Sequence, residues 1–280
     1  MQIHWPLVIS TACQRVGLGM FLCAFLADLC FGLGLPLSLV ALATLALLGV
    51  GGIASIFHLQ TPSRFFNAFS NFKSHLTQEA LLTPFLGIAL LACGLNGILY
   101  DLGGAGIVLA AVAAALSLAF LACTGLAYQM GSRPAWNTGF VLGLFLLTAA
   151  EAGGIATVAI CLLAGDGAPA APSAAAALLT AACIAVQFAY VARMRHVGYG
   201  VDVRASEEPY RAPYRAWIAC GVVLTAIALA AAVALSSAVA AFAALAASAC
   251  GIVAWTVLFF KGALKVKMFP MYPVDLNLDM

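Results

Sequence analysis

The chain has 280 residues, of which 65% are hydrophobic and only 8% are charged, and its formal net charge is +2. Soluble domains carry about 25% charged residues, so the composition excludes a soluble globular protein and indicates an integral membrane protein. The first apolar run is not preceded by a basic segment of the kind that marks a cleaved signal peptide, and we expect the first helix to act as its own insertion signal. We expect no nucleic-acid partner.

Apolar runs long enough to cross a membrane, which takes about 20 helical residues, occur eight times along the chain. We predict an all-α fold, a polytopic integral membrane protein whose bundle of eight transmembrane helices forms a single domain over residues 1–280 and ends in a polar tail at 261–280. The neighbouring Gly153 and Gly154 indicate a close helix crossing. The predicted spans are 7–29, 37–59, 79–99, 106–128, 138–163, 175–191, 216–236 and 239–260.

Basic residues concentrate on one side of the predicted bundle. Eleven of the twelve lie in the connections and the tail of that side, whereas the opposite connections carry only Asp101 and Asp166. By the positive-inside rule this side, with both termini, faces the cytoplasm. A basic face also suits docking of an acidic partner, and the sequence does not separate the two causes. We expect the longest polar connection, 193–215, and the tail to grip another subunit.

The nine cysteines are scattered singly through apolar runs, and none forms a C-x-x-C pair. This spacing argues against an iron–sulfur or zinc site in the chain, and in such positions cysteine serves as a small hydrophobic side chain. A b-type haem needs axial ligands held within the bundle. Of the four histidines only His58 lies near a predicted helix, so we predict neither haem nor another metal in this chain.

Polar chemistry concentrates in the connection between the second and third spans. His58 closes the second predicted helix and Glu79 opens the third, with Arg64 between them. A hairpin would bring both groups to the same membrane depth, where an imidazole and a carboxylate suit the two protons released by a quinol. The alternative is that the histidine only marks the membrane interface and the glutamate only begins a helix.

Several short motifs resemble the membrane anchor subunit of dimethyl sulfoxide reductase. They are F-H-L-x-x-P-x-R-x-F-N at 57–67, L-T-Q-E-A at 76–80, G-I-A-S at 52–55, the His4-Trp5-Pro6-Leu7 start, and Tyr128 followed by P-x-W at 134–136. These motifs cover the first half of the chain, and the second half matches in helix count and composition.

The resemblance implies a function and a set of residues. Anchors of this family lie in the prokaryotic cytoplasmic membrane and oxidise menaquinol. They pass the electrons to a four-cluster iron–sulfur subunit that feeds a molybdopterin catalytic subunit, which reduces an S- or N-oxide such as dimethyl sulfoxide. His58 and Glu79 match the family's quinol residues, and Arg64 and Asn67 match the motif by position as supporting residues. The family places this loop on the outer face, against the positive-inside count, so the sidedness stays open.

Two charged residues lie within predicted spans, where charge is costly and normally faces a cavity or a partner. Arg15 stands where the family tends to carry an uncharged polar residue, and we expect it to line the quinol pocket. It lies 13 residues from Asp28, about 20 Å along a helix, too far for direct pairing. Glu151 is interpreted either as a proton relay or as a neutral acid that joins helices.

Two other functions remain open from the sequence. A secondary transporter would show internal repeats and broken helices near the midplane, and no convincing repeat links the first four spans to the last four. A structural tether would hold a soluble complex at the membrane without binding quinol. Normal electron transfer after a change at His58 would favour the tether.

Overall fold

The structure, a computed structural model, describes residues 4–57, 71–131, 133, 135–165, 167–196 and 207–262, with only the backbone at 194–196, 207–210 and 262. The described residues contain eight helices long and apolar enough to span a membrane, which confirms the predicted all-α, eight-span fold. The elements are α1 (Trp5–Phe31), α2 (Leu37–Ile56), α3 (His75–Leu95), α4 (Ala105–Ala127), α5 (Phe140–Ala164), α6 (Ala170–His196), α7 (Glu207–Ala216), a π-helical segment (Trp217–Leu224), α8 (Thr225–Ala234) and α9 (Ala238–Gly262).

The third span lies four residues earlier in the chain than predicted. It ends at Leu95 because the backbone turns at Asn96 and Gly97, the latter at φ 81°, a left-handed conformation that favours glycine. The Asn96 side chain accepts a hydrogen bond from the Leu102 amide at 3.0 Å and so fixes the turn. Glu79 therefore lies one turn inside α3, and the first residue of the helix is His75, which was expected in a connection.

The predicted polar connection 193–215 is helical at both of its ends. α6 continues to His196 and α7 begins at Glu207, so only the intervening residues lie outside the description. The seventh span is built from α7, the π-helical segment and α8 in direct succession. Where it passes α9 the two backbones nearly touch. A Cβ on Gly251 of α9 would lie only 2.3 Å from the Cα of Gly221.

The centre of the bundle is the crossing of α1 and α5. A Cβ on Gly153 would lie 2.0 Å from the carbonyl oxygen of Gly19, and a Cβ on Gly19 would lie 1.9 Å from that of Ala149. Such contacts are possible only without side chains, and small residues are the usual means of close helix approach in lipid. The predicted crossing at Gly153 is confirmed. Because α5 also packs on α4, α6 and α9, its interior face is shielded from lipid.

The alternation of the spans gives the bundle two ends. At one end of the bundle α1, α3 and α5 begin and α4, α6 and α9 terminate, and we call it the basic side. We call the other end the opposite side. Asp28 lies near the opposite side, where its carboxylate accepts the Leu35 amide at 2.9 Å in the turn between α1 and α2. At the basic side Lys73, Arg211 and Arg215 are exposed.

Candidate functional site

Three of the six residues predicted for the site are described by the structure. Arg15 lies on α1, Glu79 on α3 and Glu151 on α5. His58, Arg64 and Asn67 lie outside the described residues, in the segment that joins the end of α2 to the start of α3. The predicted second span, 37–59, is described as helix only to Ile56, with Phe57 following it.

Glu79 is half-buried where α1, α3 and α4 meet at the basic side. The Gln14 side chain donates a hydrogen bond to the Glu79 carboxyl at 3.4 Å, and the Thr124 side chain lies beside the same carboxyl. The carbonyl oxygen of the Gln14 side chain is buried and has no hydrogen-bond partner within the described ranges. A ligand that donates a hydrogen bond would therefore find two acceptors side by side, the Glu79 carboxyl and the Gln14 amide oxygen.

Tyr128 follows the last residue of α4 and interacts electrostatically with both Glu79 and Arg15. Its ring stacks on Phe145 with centroids 5.3 Å apart and meets the edge of Trp136 at 5.4 Å. Burial raises the pKa of Tyr128, Glu79 adds to the rise and Arg15 opposes it, so the hydroxyl keeps its proton. Among the described residues this hydroxyl makes no hydrogen bond, and it is free to donate one to a ligand.

Arg15 is 2% exposed and is held by three helices. Its Nε donates to the carbonyl oxygen of Thr11 on α1 at 3.0 Å, and its two terminal nitrogens donate to the hydroxyls of Thr148 on α5, at 3.4 Å, and Thr256 on α9. The guanidinium carbon lies 4.9 Å from the centroid of the Phe145 ring. No described carboxylate lies within 4.0 Å of it, so the described groups that surround its charge are dipoles and a ring face.

These groups share one depth near the basic side. Arg15 lies ten residues into α1, about 15 Å along the axis, but its side chain reaches back toward Thr11, about 9 Å from the helix start. Thr256 lies six residues before the end of α9, again about 9 Å inside. Glu79, four residues into α3, lies about 6 Å inside. Glu79 is therefore the nearest of these groups to the basic end of the bundle, and the Arg15 region lies behind it.

An aromatic wall encloses this region on the side of α9. Trp136 stacks on Phe259 with centroids 4.9 Å apart, and its indole N–H donates to the Phe259 carbonyl oxygen at 3.2 Å. Arg133 covers the outer face of the Trp136 ring, its guanidinium carbon 4.5 Å from the centroid. Tyr190 of α6 donates to the carbonyl oxygen of Ala135 at 3.0 Å. The connection between α4 and α5 is thus fixed against α6 and α9, which gives the wall a defined position.

Glu151 does not belong to the same cluster as Glu79. It is 3% exposed on α5, with the side chains of Cys183 on α6 and Ser248 on α9 beside its carboxyl. Cys183 interacts electrostatically with Glu151 and with Arg15, and so lies within reach of both in the bundle interior. From the sequence, Glu79 was expected at the start of the third span and Glu151 within the fifth, and in the structure the two acids lie in two neighbouring regions.

Five residues of the site were not predicted from the sequence. Gln14 had a detectable signal, because it stands beside Arg15 in an otherwise apolar run. Tyr128 was noted only as part of a motif. The threonines gave no signal, since isolated threonines are common in spans and their role depends on which helices cross. The five are Gln14, Thr124, Tyr128, Thr148 and Thr256.

No group of histidine, cysteine, aspartate or glutamate side chains in the described part of the chain is arranged to hold a metal ion. His75 instead contacts the side chain of Gln78 through its Nδ1 at 3.0 Å. The described part of the site contains protonatable groups, hydrogen-bond donors and aromatic rings.

Comparison with known proteins identifies the family. The family model described as DMSO reductase anchor subunit (DmsC) matches residues 1–261. The chain belongs to this family. A search of curated proteins found no match. Membership confirms the resemblance seen in the motifs and extends it over the second half of the chain. DmsC proteins are membrane anchors of dimethyl sulfoxide reductase, so membership implies a multi-pass membrane subunit that associates with catalytic and iron–sulfur subunits.

Proposed function

We propose that this anchor subunit binds menaquinol at the basic side and oxidises it, with Glu79 as a proton acceptor. The observation that carries the proposal is the set of groups around Glu79: a half-buried carboxyl held by Gln14, with the uncommitted hydroxyl of Tyr128 nearby. A quinol carries two hydroxyl groups on a flat ring. Carboxyl and amide oxygens suit the hydroxyl protons.

The reaction is balanced by moving two protons and two electrons separately. The quinol loses one proton to Glu79 and the other to His58, which the family resemblance assigns to the site. Its two electrons leave for the iron–sulfur subunit, and the ring becomes a quinone. A positioned general base contributes about 10²- to 10⁴-fold to the rate of such a step. Tyr128 then donates a hydrogen bond to the quinone oxygen.

Arg15 supports this site by its charge. The guanidinium lies behind Phe145 and Tyr128, where the surroundings are apolar and a fixed charge acts over a longer distance than in water. Positive charge favours the quinol in its deprotonated form, and so favours oxidation. Arg64 and Asn67, assigned from the resemblance, complete the pocket from the segment between α2 and α3.

The basic side is also the docking face in this proposal. The exposed Lys73, Arg211 and Arg215 suit an acidic surface on the iron–sulfur subunit. That subunit, expected to hold four clusters, passes the electrons to a molybdopterin subunit that reduces an S- or N-oxide such as dimethyl sulfoxide. The whole complex would lie at the cytoplasmic membrane of a prokaryote. Placing the quinol pocket at the docking face keeps the distance of the first electron transfer short.

Binding of a quinol analogue to membranes that contain the whole complex tests the proposal. We expect Glu79→Gln and His58→Ala each to abolish binding while the complex still assembles. The matched control is Asp101→Asn, a neutralised carboxyl on the opposite side that is exposed and accepts the Gly103 amide at 2.8 Å; binding should be unchanged. Retained binding in both site variants would mean that the quinol binds elsewhere, either in another pocket of this chain or on another subunit, in which case this chain is a tether.

A further inference from the structure

Glu151 is a buried acid that the proposed oxidation does not use. It lies eleven residues after the start of α5 and thirteen before its end, which is close to the middle of the membrane. Ionisable groups at that depth are costly and normally serve a proton or ion pathway. The ionisable groups that face it are Cys183 of α6 and, beyond Cys183, Arg15 of α1, while α9 contributes Ser248.

Three buried hydroxyls along α6 and α9 have no hydrogen-bond partner within the described ranges. They are Ser248, Thr180 and Ser173, which are 1%, 4% and 6% exposed. Most other buried hydroxyls in the bundle donate to the carbonyl oxygen one turn earlier in their own helix. Those that do so are Thr11, Ser117, Thr124, Thr148, Thr157 and Thr256.

The unpartnered hydroxyls follow a line from Glu151 to the opposite side. Ser248 lies beside the Glu151 carboxyl. Thr180 lies three residues before Cys183 on the buried face of α6, and Ser173 lies seven residues before Thr180 on the same face, about 10 Å further along the helix. Ser173 is three residues from the start of α6, so the line ends close to the opposite side.

Apart from the Glu151 carboxyl beside Ser248, the side chains around this line offer these hydroxyls no polar partner. The neighbouring cluster of α5, α6, α8 and α9 is apolar, with Ile155, Val158, Ala159 and Ala176 among its buried members. Buried polar groups without a protein partner are normally satisfied by ordered water. A chain of water molecules beside small side chains would give all three hydroxyls a hydrogen-bond partner and connect them.

We propose that Glu151 binds a proton that it exchanges with the opposite side of the membrane through water molecules held by Ser248, Thr180 and Ser173. Loss of this proton leaves a carboxylate in the same bundle interior as the charge of Arg15. The proposal extends beyond quinol oxidation and does not require that quinol binds at Glu79. It assigns the opposite half of the bundle a proton path that ends at mid-membrane.

Infrared difference spectroscopy of the whole complex in native membranes tests the path. A carboxylic C=O band that disappears in Glu151→Gln identifies the protonated acid, and transfer to D₂O measures its exchange. We expect Thr180→Val and Ser173→Ala, which remove a hydroxyl at almost constant shape, each to slow this exchange about tenfold or more. The matched control is Ser117→Ala, which removes a buried hydroxyl of α4 that bonds within its own helix; the exchange rate should not change.

Two results would overturn the proposal. One is the absence of any carboxylic band that responds to Glu151→Gln, which would mean that Glu151 carries no proton. The other is an exchange rate in Thr180→Val and Ser173→Ala equal to that of the unmodified complex, which would mean that the hydroxyls hold no path. Quinol-analogue binding, measured on the same membranes, shows separately whether the proposed function of Glu79 holds.

Discussion

The two buried acids of this bundle occupy contrasting surroundings. Glu79 lies near the helix ends at the basic side, half-buried, beside Gln14 and within the electrostatic reach of Tyr128. Glu151 lies at mid-membrane, 3% exposed, behind the α1–α5 crossing at which Gly19 and Gly153 touch. In our proposals the first acid meets a ligand with a ring, and the second exchanges its proton through water.

The difference shows how one apolar bundle supports two kinds of polar site. Aromatic residues with bonded N–H and O–H groups, such as Trp136 and Tyr190, fix the shape of the basic end. Glycine and alanine close the middle and the opposite end. Arg15 lies between the two regions and is linked to each by one group, Tyr128 on one side and Cys183 on the other.

The largest effect is expected from Glu79→Gln. The amide keeps the shape but accepts no proton, so the rate of quinol oxidation by assembled complex should fall about 10²- to 10⁴-fold, the usual contribution of a general base. Steady-state oxidation of a menaquinol analogue measures it. A rate within twofold of the unmodified complex would remove Glu79 from the chemistry and with it the contrast between the two acids.

A smaller loss is expected from Arg15→Gln. The change removes a charge held by Thr11, Thr148 and Thr256, and we expect quinol oxidation to fall about tenfold to hundredfold, equal to about 1.4–2.8 kcal/mol in the barrier. Arg15→Lys keeps the charge but not the planar fork, so it should restore part of the rate. If Arg15→Gln lowers only the thermal stability and each assembled complex oxidises quinol normally, the residue is structural.

Tyr128→Phe should weaken quinol-analogue binding about fivefold, the effect of losing one hydrogen bond of about 1 kcal/mol. Stability should not change, because the hydroxyl makes no hydrogen bond to the described part of the protein. Tyr190→Phe is the matched control. Its hydroxyl bonds the Ala135 carbonyl oxygen at 3.0 Å, so this change should lower the thermal unfolding temperature without altering affinity. The reverse pattern would show that Tyr128 does not face the ligand.

The sequence predicted what depends on local composition. Apolar runs specified the eight spans, and charges standing alone in those runs drew attention to Arg15 and Glu151. Helix ends were predicted less well, because the turn at Asn96 and Gly97 ends α3 four residues before the apolar run ends. The predicted single domain over 1–280 stays a prediction.

What the sequence could not reveal depends on long-range crossings. Arg15 meets Thr148 across 133 residues and Thr256 across 241. Isolated threonines of this kind are indistinguishable from any others until the packing of α1 against α5 and α9 is known. The sequence placed Glu79 at the start of one span and Glu151 within another, but it could not show which side chains surround each acid. Tertiary packing, not local pattern, assigned each acid to its surroundings.

The smallest effect on quinol is expected from Glu151→Gln. If the α1–α5 crossing separates the two regions, replacing this acid by a neutral amide should leave quinol-analogue affinity within about twofold, a change of about 0.4 kcal/mol. Thermal stability should hold or rise, because a buried acid is costly at this depth and the amide keeps its shape. Analogue titration of the whole complex, with Glu79→Gln beside it, measures the contrast directly. A loss of affinity as large as that of Glu79→Gln would show that the two acids act as one site joined through Cys183 and Arg15. The proposed division of the bundle into a ring-binding end and a proton-exchanging interior would then be wrong.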